Sequence, residues 1–486
     1  MEIGRSQTAV RWDHVALAGL ALGATVWLAL NLRQLSFRID QPEIELDYAM
    51  GILWWSLIAF GLACLKGEDQ PLLMKAWVVK FFVVLIFMLF YEQRYGLDAN
   101  WYFKVTVTGE HPHYLGVDWR KEWFLFRDPF ETQPDKKVAL GHGTDNMIRL
   151  VMFLSTFTGP YYNALKVVFA FLGLLGSWAF YRAVVIALGQ PVPVAFYWLA
   201  FFPSILFWSS ILGKDPLIFL FLGLCAYGAA RALIRGEPIG IPIIAVALFL
   251  TYNVRAWTAM MAGGTLIAAL FFRRGYAVQR LALILVTVPA LTIGWEPIKD
   301  VFHIKDWSSL EALFITLTEG QTVKSEWTIY QADFGGVQRT AGAEEVVEQI
   351  QRGNVGSALP VIIFSGLFRP LVFEARNGFM VISGLENACL LFLVLVAIKR
   401  FRWAYWQEPF VTWPILLSLL WATFYGAILL ANFGAGVRYK LQVLPFMVIF
   451  LFLVLHPDGL ARRDTRSAKG ATDSASPSGA VGFQPG

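Results

Sequence analysis

Two acidic residues of this chain stand where a long apolar segment meets polar sequence. Asp98 follows the apolar segment 76–92, and Asp215 opens the segment 215–233 directly after Lys214. A carboxylate at the boundary between apolar and aqueous surroundings can act as a general base that takes a proton from an attacking hydroxyl group. Each also has a structural interpretation, with Asp98 as a solvated loop residue or helix cap, and Asp215, followed by proline, as a helix N-cap. Both interpretations stay open on the sequence alone.

Four basic residues stand at similar boundaries. They are Lys214, Arg255, Arg369 and Arg438. Any one of them could be an anchor whose charged end reaches out of an apolar layer, and Glu374 offers Arg369 a structural ion pair. Taken with the two carboxylates, the cations suit a ligand that carries phosphate or diphosphate, because arginine donates paired hydrogen bonds to phosphate oxygens.

Other kinds of site find little support. The three histidines of the first predicted outer loop do not have the spacing of a metal site, and the three cysteines lie within apolar runs. These residues are His111, His113, His142, Cys64, Cys225 and Cys389. No phosphate-binding loop, dinucleotide fingerprint or hydrolase nucleophile motif stands in a usable context. The sequence leaves the cofactor unknown, with a divalent cation as one option.

The composition indicates where these residues would work. Hydrophobic residues make up 57% of the 486 positions and charged residues only 15%, whereas soluble domains carry about 25% charged residues. The formal net charge of +5 is small, so the sequence predicts no nucleic-acid partner. The predicted fold class is an all-α polytopic membrane protein with about 12 transmembrane helices, within a range of roughly 11–14.

Twelve apolar segments support this prediction. They lie near 13–32, 49–65, 76–92, 162–187, 193–211, 215–233, 238–253, 256–272, 281–296, 379–398, 409–431 and 439–456. A shorter apolar segment, 357–373, contains Pro360, Arg369 and Pro370 and is predicted to be re-entrant or interfacial.

The distribution of lysine and arginine predicts the orientation. With the N-terminus in the cytoplasm, the cytoplasmic segments hold 17 of these residues and the short outer loops hold 6. Such a bias is the positive-inside signal. Full crossing by 357–373 would place Lys399, Arg400 and Arg402 outside, which favours the re-entrant interpretation. Both termini are therefore predicted to be cytoplasmic, and two long outer loops are expected to carry short surface helices.

The chain is predicted to consist of six consecutive parts. These are a cytoplasmic N-terminus with two accessory transmembrane helices (1–75), a core with the outer loop 93–160 (76–233), further transmembrane helices (234–296), a long outer loop (297–356), the re-entrant segment with the C-terminal transmembrane helices (357–456), and a disordered cytoplasmic tail (457–486).

The first outer loop of the core resembles that of the C-type glycosyltransferases, the GT-C superfamily, which includes bacterial O-mannosyltransferases and aminoarabinose transferases. Members often carry Asp-Glu there, with a tyrosine four residues after the aspartate. Asp98 and Tyr102 have this spacing, with Ala99 in place of the second acid. Asp215 lies where the family often has a further aspartate, at the point where the chain re-enters the membrane.

A second similarity lies near the C-terminus. Arg438-Tyr439 followed by Pro445 is similar to an Arg-Tyr…Pro pattern of several bacterial members. The resemblance therefore covers roughly 76–233 and, more sparsely, 430–456.

The resemblance implies an enzyme that transfers a sugar, with inversion, from a polyprenyl-phosphate donor to an acceptor at the outer face of the bacterial plasma membrane. It implies that Asp98 is the general base and that Asp215 orients a substrate or helps to hold a divalent cation. Substrate binding would fall to Tyr102, Lys214, Arg255, Arg369 and Arg438. The implied partners are the lipid-linked sugar or glycan and membrane lipid.

Two other functional classes stay open. An O-antigen or exopolysaccharide polymerase or ligase would act on polyprenyl-diphosphate glycans and use 297–356 as its functional loop, with less dependence on Asp98. A transporter of lipid-linked glycans would instead have charged residues at mid-span and a repeat that relates its halves. The sequence has no convincing repeat, and its conspicuous polar residues cluster at one predicted membrane face.

Overall fold

The computed structural model describes residues 43–94, 98–108, 142–272, 355–375, 378–431 and 433–456, together with Gly23, Gln349 and Arg352. The regular elements of these residues are all helical. Several predictions lie outside the described residues: the segments 13–32 and 281–296, nearly all of 109–141 and 297–354, and the tail 457–486.

Six helices are long and apolar enough to cross a bilayer, which confirms a helical protein with several candidate membrane spans. They are Ile44–Cys64, Gln70–Glu92, Tyr162–Leu188, Lys214–Leu233, Gly378–Arg400 and Pro409–Gly426. A seventh candidate is the pair Gly436–Gln442 and Leu444–Leu455, whose two parts are bent by 55° relative to each other. Three shorter apolar helices fall within 240–254, 256–271 and 356–368.

Exposed apolar side chains cover one face of several of these helices. Leu53, Leu57 and Phe60 are exposed on Ile44–Cys64, and Phe392 is exposed on Gly378–Arg400. Such faces are unfavourable in water and suit contact with lipid chains. They agree with the assignment of a membrane protein.

The chain forms two compact units. The first consists of Met1–Leu125, Asp145–Leu172 and Ser210–Pro216. Its helices are α1 (Ile44–Cys64), α2 (Gln70–Phe82), α3 (Met88–Arg94), α4 (Asp98–Thr108), most of α5 (His142–Thr158) and the first part of α6 (Tyr162–Leu188). A π-helical turn, Val83–Phe87, joins α2 to α3.

Helices α1 and α2 are fixed to each other by a pair of tryptophans. The indole N–H of Trp55 donates to the carbonyl of Trp77 (3.2 Å), and the N–H of Trp77 donates to the carbonyl of Trp55 (3.1 Å). Near the N-terminus of α1, the Tyr48 hydroxyl donates to the carbonyl of Leu85 within the π-turn (2.8 Å). Both indole donors are thus satisfied, as burial in an apolar layer requires.

The second unit consists of Phe126–Thr144, Gly173–Ser209 and Leu217–Gly486. Its described helices, besides the remainder of α6, are α7 (Pro193–Phe201), α8 (Pro203–Trp208), most of α9 (Lys214–Leu233), α10 (Gly240–Val254), α11 (Ala256–Phe271), α12 (Val355–Phe368), α13 (Gly378–Arg400), α14 (Pro409–Ala431), α15 (Phe433–Tyr439) and α16 (Leu444–Leu455). Short 3₁₀ turns lie at Val372–Glu374, Trp403–Gln407 and Lys440–Gln442.

Close backbone approach holds α12 against α14. A Cβ atom placed on Gly426 would lie 2.3 Å from the carbonyl oxygen of Ile362, and one on Gly366 would lie 3.2 Å from the Cα of Ala422. Small residues at helix crossings are typical of membrane proteins, because they let two backbones approach. On the other side of α14, the Trp413 N–H donates to the carbonyl of Ala262 on α11 (3.0 Å).

Three predicted segments differ from single continuous helices. The segment 193–211 is divided between α7 and α8 at Phe202, since Pro203 lacks an N–H and disfavours helical backbone in the residue before it. The segment 357–373 consists of α12 and a separate 3₁₀ turn at Val372–Glu374. The segment 439–456 is bent where Gln442 is followed by α16, which has proline in its first turn.

Candidate functional site

The predicted acidic residues lie in first turns of helices, and both residues belong to the first unit. Asp98 is in the first turn of α4 and is exposed, and Tyr102, one turn later, is buried. Asp215 is in the first turn of α9 and only 1% exposed, beside the half-buried Lys214. A carboxylate in a first turn is stabilised by the partial positive charge of the helix N-terminus. The structural interpretation of both aspartates as helix-start residues therefore applies, and a catalytic role would come in addition to it.

The first unit also contains a buried charged network that the sequence analysis did not identify. Lys166 Nζ lies 3.0 Å from Glu92 Oε2, and both side chains are fully buried. The Tyr162 hydroxyl donates to Glu92 Oε1 (2.8 Å). Nearby in sequence, the backbone N–H of Asn163 donates to Asp47 Oδ2 (3.2 Å), as does its side-chain amide. The network joins the first turns of α1 and α6 to α3, so these three helix ends lie together.

A second buried cation of this unit has a neutral partner. Lys80 Nζ donates to Ser210 Oγ (2.8 Å), with the lysine side chain on α2 fully buried. Buried charges in membrane helices are expensive unless they are paired or hydrogen-bonded. Lys80 and Lys166 lie within apolar runs of the sequence. A charged residue in such a run was the feature from which their burial could have been predicted.

In the second unit, Arg369 forms an ion pair with Glu374, the structural alternative considered in the sequence analysis. Its Nε donates to Glu374 Oε2 (3.1 Å), and its Nη2 contacts Glu374 Oε1. The backbone N–H of Leu371 also donates to Glu374 (2.8 Å). Burial acts to raise the pKa of Glu374, but the hydrogen bonds from Arg369 and Leu371 together outweigh it, so the pKa is lowered from 4.5. The structural alternative for Arg369 is thus present, while its predicted role in substrate binding stays a prediction.

Arg255 and Arg438 lie against aromatic rings. Arg255 is the extended residue between α10 and α11, and its guanidinium lies 4.6 Å from the centre of the Tyr439 ring. The guanidinium of Arg438 lies 5.8 Å from the Trp208 ring. Both arginines are half-buried. Stacking on a ring face holds a guanidinium in place, and the in-plane N–H groups of arginine are donors that suit an oxyanion.

The bend before α16 carries a further buried cation, Lys440, that the sequence analysis did not propose for the site. Its Nζ donates to the carbonyl of Arg369 (3.2 Å) and to Asn387 Oδ1 (2.8 Å). The adjacent Glu386 is also buried, and its Oε2 accepts from both the N–H and the hydroxyl of Ser204 (2.9 Å each). These bonds fix the bend to α13 and to the chain beside Arg369.

The predicted site residues therefore divide between the two units. The first holds Asp98, Tyr102, Lys214 and Asp215, and the second holds Arg255, Arg369 and Arg438. Within the second unit the three arginines are linked to the chain 438–442: Arg438 belongs to it, Arg255 stacks on Tyr439, and the backbone carbonyl of Arg369 accepts from Lys440. We call Arg255, Arg369, Arg438 and Lys440 the cation cluster.

Metal binding finds no geometric counterpart in the described part of the chain, where no three histidine, cysteine or acidic residues group together. His111 and His113 lie outside the described residues, and His142 is the first residue of α5. Comparison of the chain with protein-family models, curated proteins and solved structures gives no match.

Proposed function

We propose that the protein is an integral membrane glycosyltransferase that uses a polyprenyl-phosphate sugar as its donor. The cation cluster is the observation that carries this proposal. Two arginines that stack on aromatic rings at a break in membrane helices provide oriented donors for a phosphate group. The half-buried position strengthens such contacts, because a charge interaction grows as water is excluded.

The proposed reaction gives each residue the role that the family resemblance implies. Asp98 takes the proton of the acceptor hydroxyl, whose oxygen then forms a bond to the anomeric carbon of the donor with inversion. The bond between that carbon and the phosphate oxygen breaks, and its electron pair leaves with the polyprenyl phosphate. Arg255 and Arg438 stabilise the negative charge that develops there. Asp215 with Lys214 orients a substrate, and Tyr102 contributes to acceptor binding.

The finer parts of the proposal concern location. The reaction takes place at the outer face of the bacterial plasma membrane, with about a dozen spans and both termini in the cytoplasm. The observation in favour is that Asp98, Asp215, Arg255 and Arg438 all lie at ends of helices, which the lysine and arginine bias assigns to the outer side. The transfer assay is run with and without a divalent cation to learn whether one is required.

The test is sugar transfer by purified protein in proteoliposomes that contain a mixture of polyprenyl-phosphate sugars and candidate acceptors. We expect wild type to release polyprenyl phosphate, and Asp98→Asn to do so at least about 100-fold more slowly, the usual scale for loss of a general base. The matched control is Glu68→Gln, which removes the same charge from an exposed residue between α1 and α2.

Two results would contradict the proposal. Equal rates for Asp98→Asn and Glu68→Gln would remove Asp98 as the base. Inactivity of wild type on every monophosphate donor, with activity on a polyprenyl-diphosphate oligosaccharide, would favour a polymerase or ligase, since the cation cluster can also bind a diphosphate.

A further inference from the structure

Two buried hydrogen-bond donors of the second unit have no acceptor. Trp421 is 1% exposed and Gln442 is 3% exposed, and neither Trp421 Nε1 nor Gln442 Nε2 makes a hydrogen bond within the part of the chain that the structure describes. An unpaired buried donor is unfavourable by about 1–3 kcal/mol. Native proteins retain such groups mainly where a ligand or function uses them.

The two donors lie beside the cation cluster. The Trp421 ring stacks on Tyr425, with ring centres 5.2 Å apart, and Tyr425 packs on Tyr439 at 5.3 Å. Tyr439 is the ring that carries Arg255. Gln442 follows three residues after Tyr439, and its Oε1 already accepts from the Thr258 hydroxyl (2.8 Å), which leaves its NH₂ group as the unused part.

We propose that Trp421 Nε1 and Gln442 Nε2, together with Arg255, bind the phosphate group of the lipid-linked donor. The assignment follows from chemistry: these groups can only donate, and an oxyanion can only accept, whereas a sugar hydroxyl would bring donors of its own. The inference rests on the proposed function for the identity of the ligand and names residues that the family resemblance does not supply.

The experiment measures binding and stability separately in the purified full-length protein. Isothermal titration uses farnesyl phosphate as the probe, with farnesol and inorganic phosphate as comparisons, and thermal unfolding gives Tm. Trp421→Phe and Gln442→Met remove a donor and keep most of the apolar volume. The matched control is Trp413→Phe on the same helix, where the N–H is already bonded to Ala262.

The two tryptophan variants should behave in opposite ways. Trp421→Phe removes an unpaired buried donor and breaks no hydrogen bond in the unliganded protein, so its Tm should not fall below the wild-type value, while the Kd for farnesyl phosphate rises about 10- to 100-fold. Gln442→Met should raise that Kd over the same range and also lower Tm, because it removes the acceptor of the Thr258 hydroxyl. Trp413→Phe leaves a carbonyl unpaired, so it should lower Tm and leave the Kd unchanged.

Other results have distinct meanings. An unchanged Kd in Trp421→Phe and Gln442→Met would overturn the inference, whatever the transfer assay gives. Donor-dependent binding of farnesyl phosphate without any sugar transfer would retain this site and remove the proposed function. Inorganic phosphate that binds as tightly as farnesyl phosphate, with the same dependence on Trp421, would overturn the assignment to a lipid-linked phosphate and identify a site for free phosphate.

Discussion

The two units differ in how their most prominent buried polar groups are paired. In the first unit, Glu92 forms an ion pair with Lys166 and accepts a hydrogen bond from Tyr162. Asp47 accepts a hydrogen bond from Asn163. In the second, the cation cluster lies next to two buried donors, Trp421 Nε1 and Gln442 Nε2, that have no acceptor in the described residues. The charged groups of the first network pair with one another, although Asn163 Oδ1 is buried without a donor, whereas the cation cluster suits an acidic ligand.

This difference separates stability from binding. A closed network of charges contributes to the structure and loses much when one member is removed. A set of buried donors without acceptors destabilises the unliganded structure, and it should favour the bound state when a ligand supplies the acceptors. The following substitutions examine the contrast in order of decreasing effect.

The largest effect is expected from Lys166→Met in the first unit. The substitution leaves the Glu92 carboxylate buried without its cation, which should lower the free energy of unfolding by about 3–5 kcal/mol. Unfolding of the purified protein in mixed micelles measures it. Lys166→Met combined with Glu92→Gln should recover most of the loss, and Lys66→Met, at an exposed position, should have little effect. A single variant as stable as wild type would show that the network is not closed.

The next effect concerns the close packing of two helices in the second unit. In Gly426→Ala the new Cβ would meet the Ile362 carbonyl at 2.3 Å, so α12 and α14 must separate. We expect a loss of about 1–3 kcal/mol in the free energy of unfolding. Gly264→Ala on α11 is the control, because nothing lies within 4 Å of its Cβ position, and it should be neutral or slightly stabilising. Equal stabilities of the two variants would contradict the close packing.

Arg438→Gln tests whether the cation cluster works in binding. We expect at least a 10-fold fall in the rate of sugar transfer at fixed donor concentration, corresponding to about 1.4 kcal/mol. The stacking on Trp208 is worth about 0.5–1 kcal/mol, so Tm should change little. Arg402→Gln, which removes an exposed arginine of the same unit, should leave the transfer rate unchanged. A large loss of stability with normal transfer would place Arg438 among the structural residues.

The smallest effect is the pH dependence of the Arg369–Glu374 pair. The lowered pKa of Glu374 means that the pair stabilises the fold fully above the ordinary value of 4.5 and loses that contribution as the pH falls through the lower folded-state pKa. The Tm difference between wild type and Glu374→Gln should therefore be constant above about pH 5 and shrink below about pH 4. The expected contribution is about 1 kcal/mol. A difference that grows on acidification would contradict the sign.

The positions of six long helices could be predicted because each contains an uninterrupted apolar run. The predicted segments 162–187 and 379–398 became Tyr162–Leu188 and Gly378–Arg400. The predicted apolar segment 193–211 is divided between two helices. Averaging hydropathy over a long window does not detect the break before Pro203. The prediction of about a dozen spans exceeds the six long helices that the described residues contain.

The site was accessible to sequence reasoning only in part. Asp98 and Asp215 could be placed at helix starts, because flanking residues mark such points locally. Glu92 and Lys166 are 74 residues apart, and no local pattern records which distant charges will meet. The unpaired donors of Trp421 and Gln442 depend on what surrounds each side chain, which only the folded structure gives.

The π-helical turn at Val83–Phe87 changes which direction the later side chains of its helix face. An additional residue in one turn rotates every later side chain by about 100° around the helix axis. Before the turn, Trp77 faces Trp55 on α1; after it, Glu92 faces Lys166 on α6. Deleting one residue within the turn would keep the contact between Trp77 and Trp55 but rotate Glu92 away from Lys166. The Tyr48 hydroxyl, bonded to Leu85, thus holds a rotational offset on which a buried charge depends.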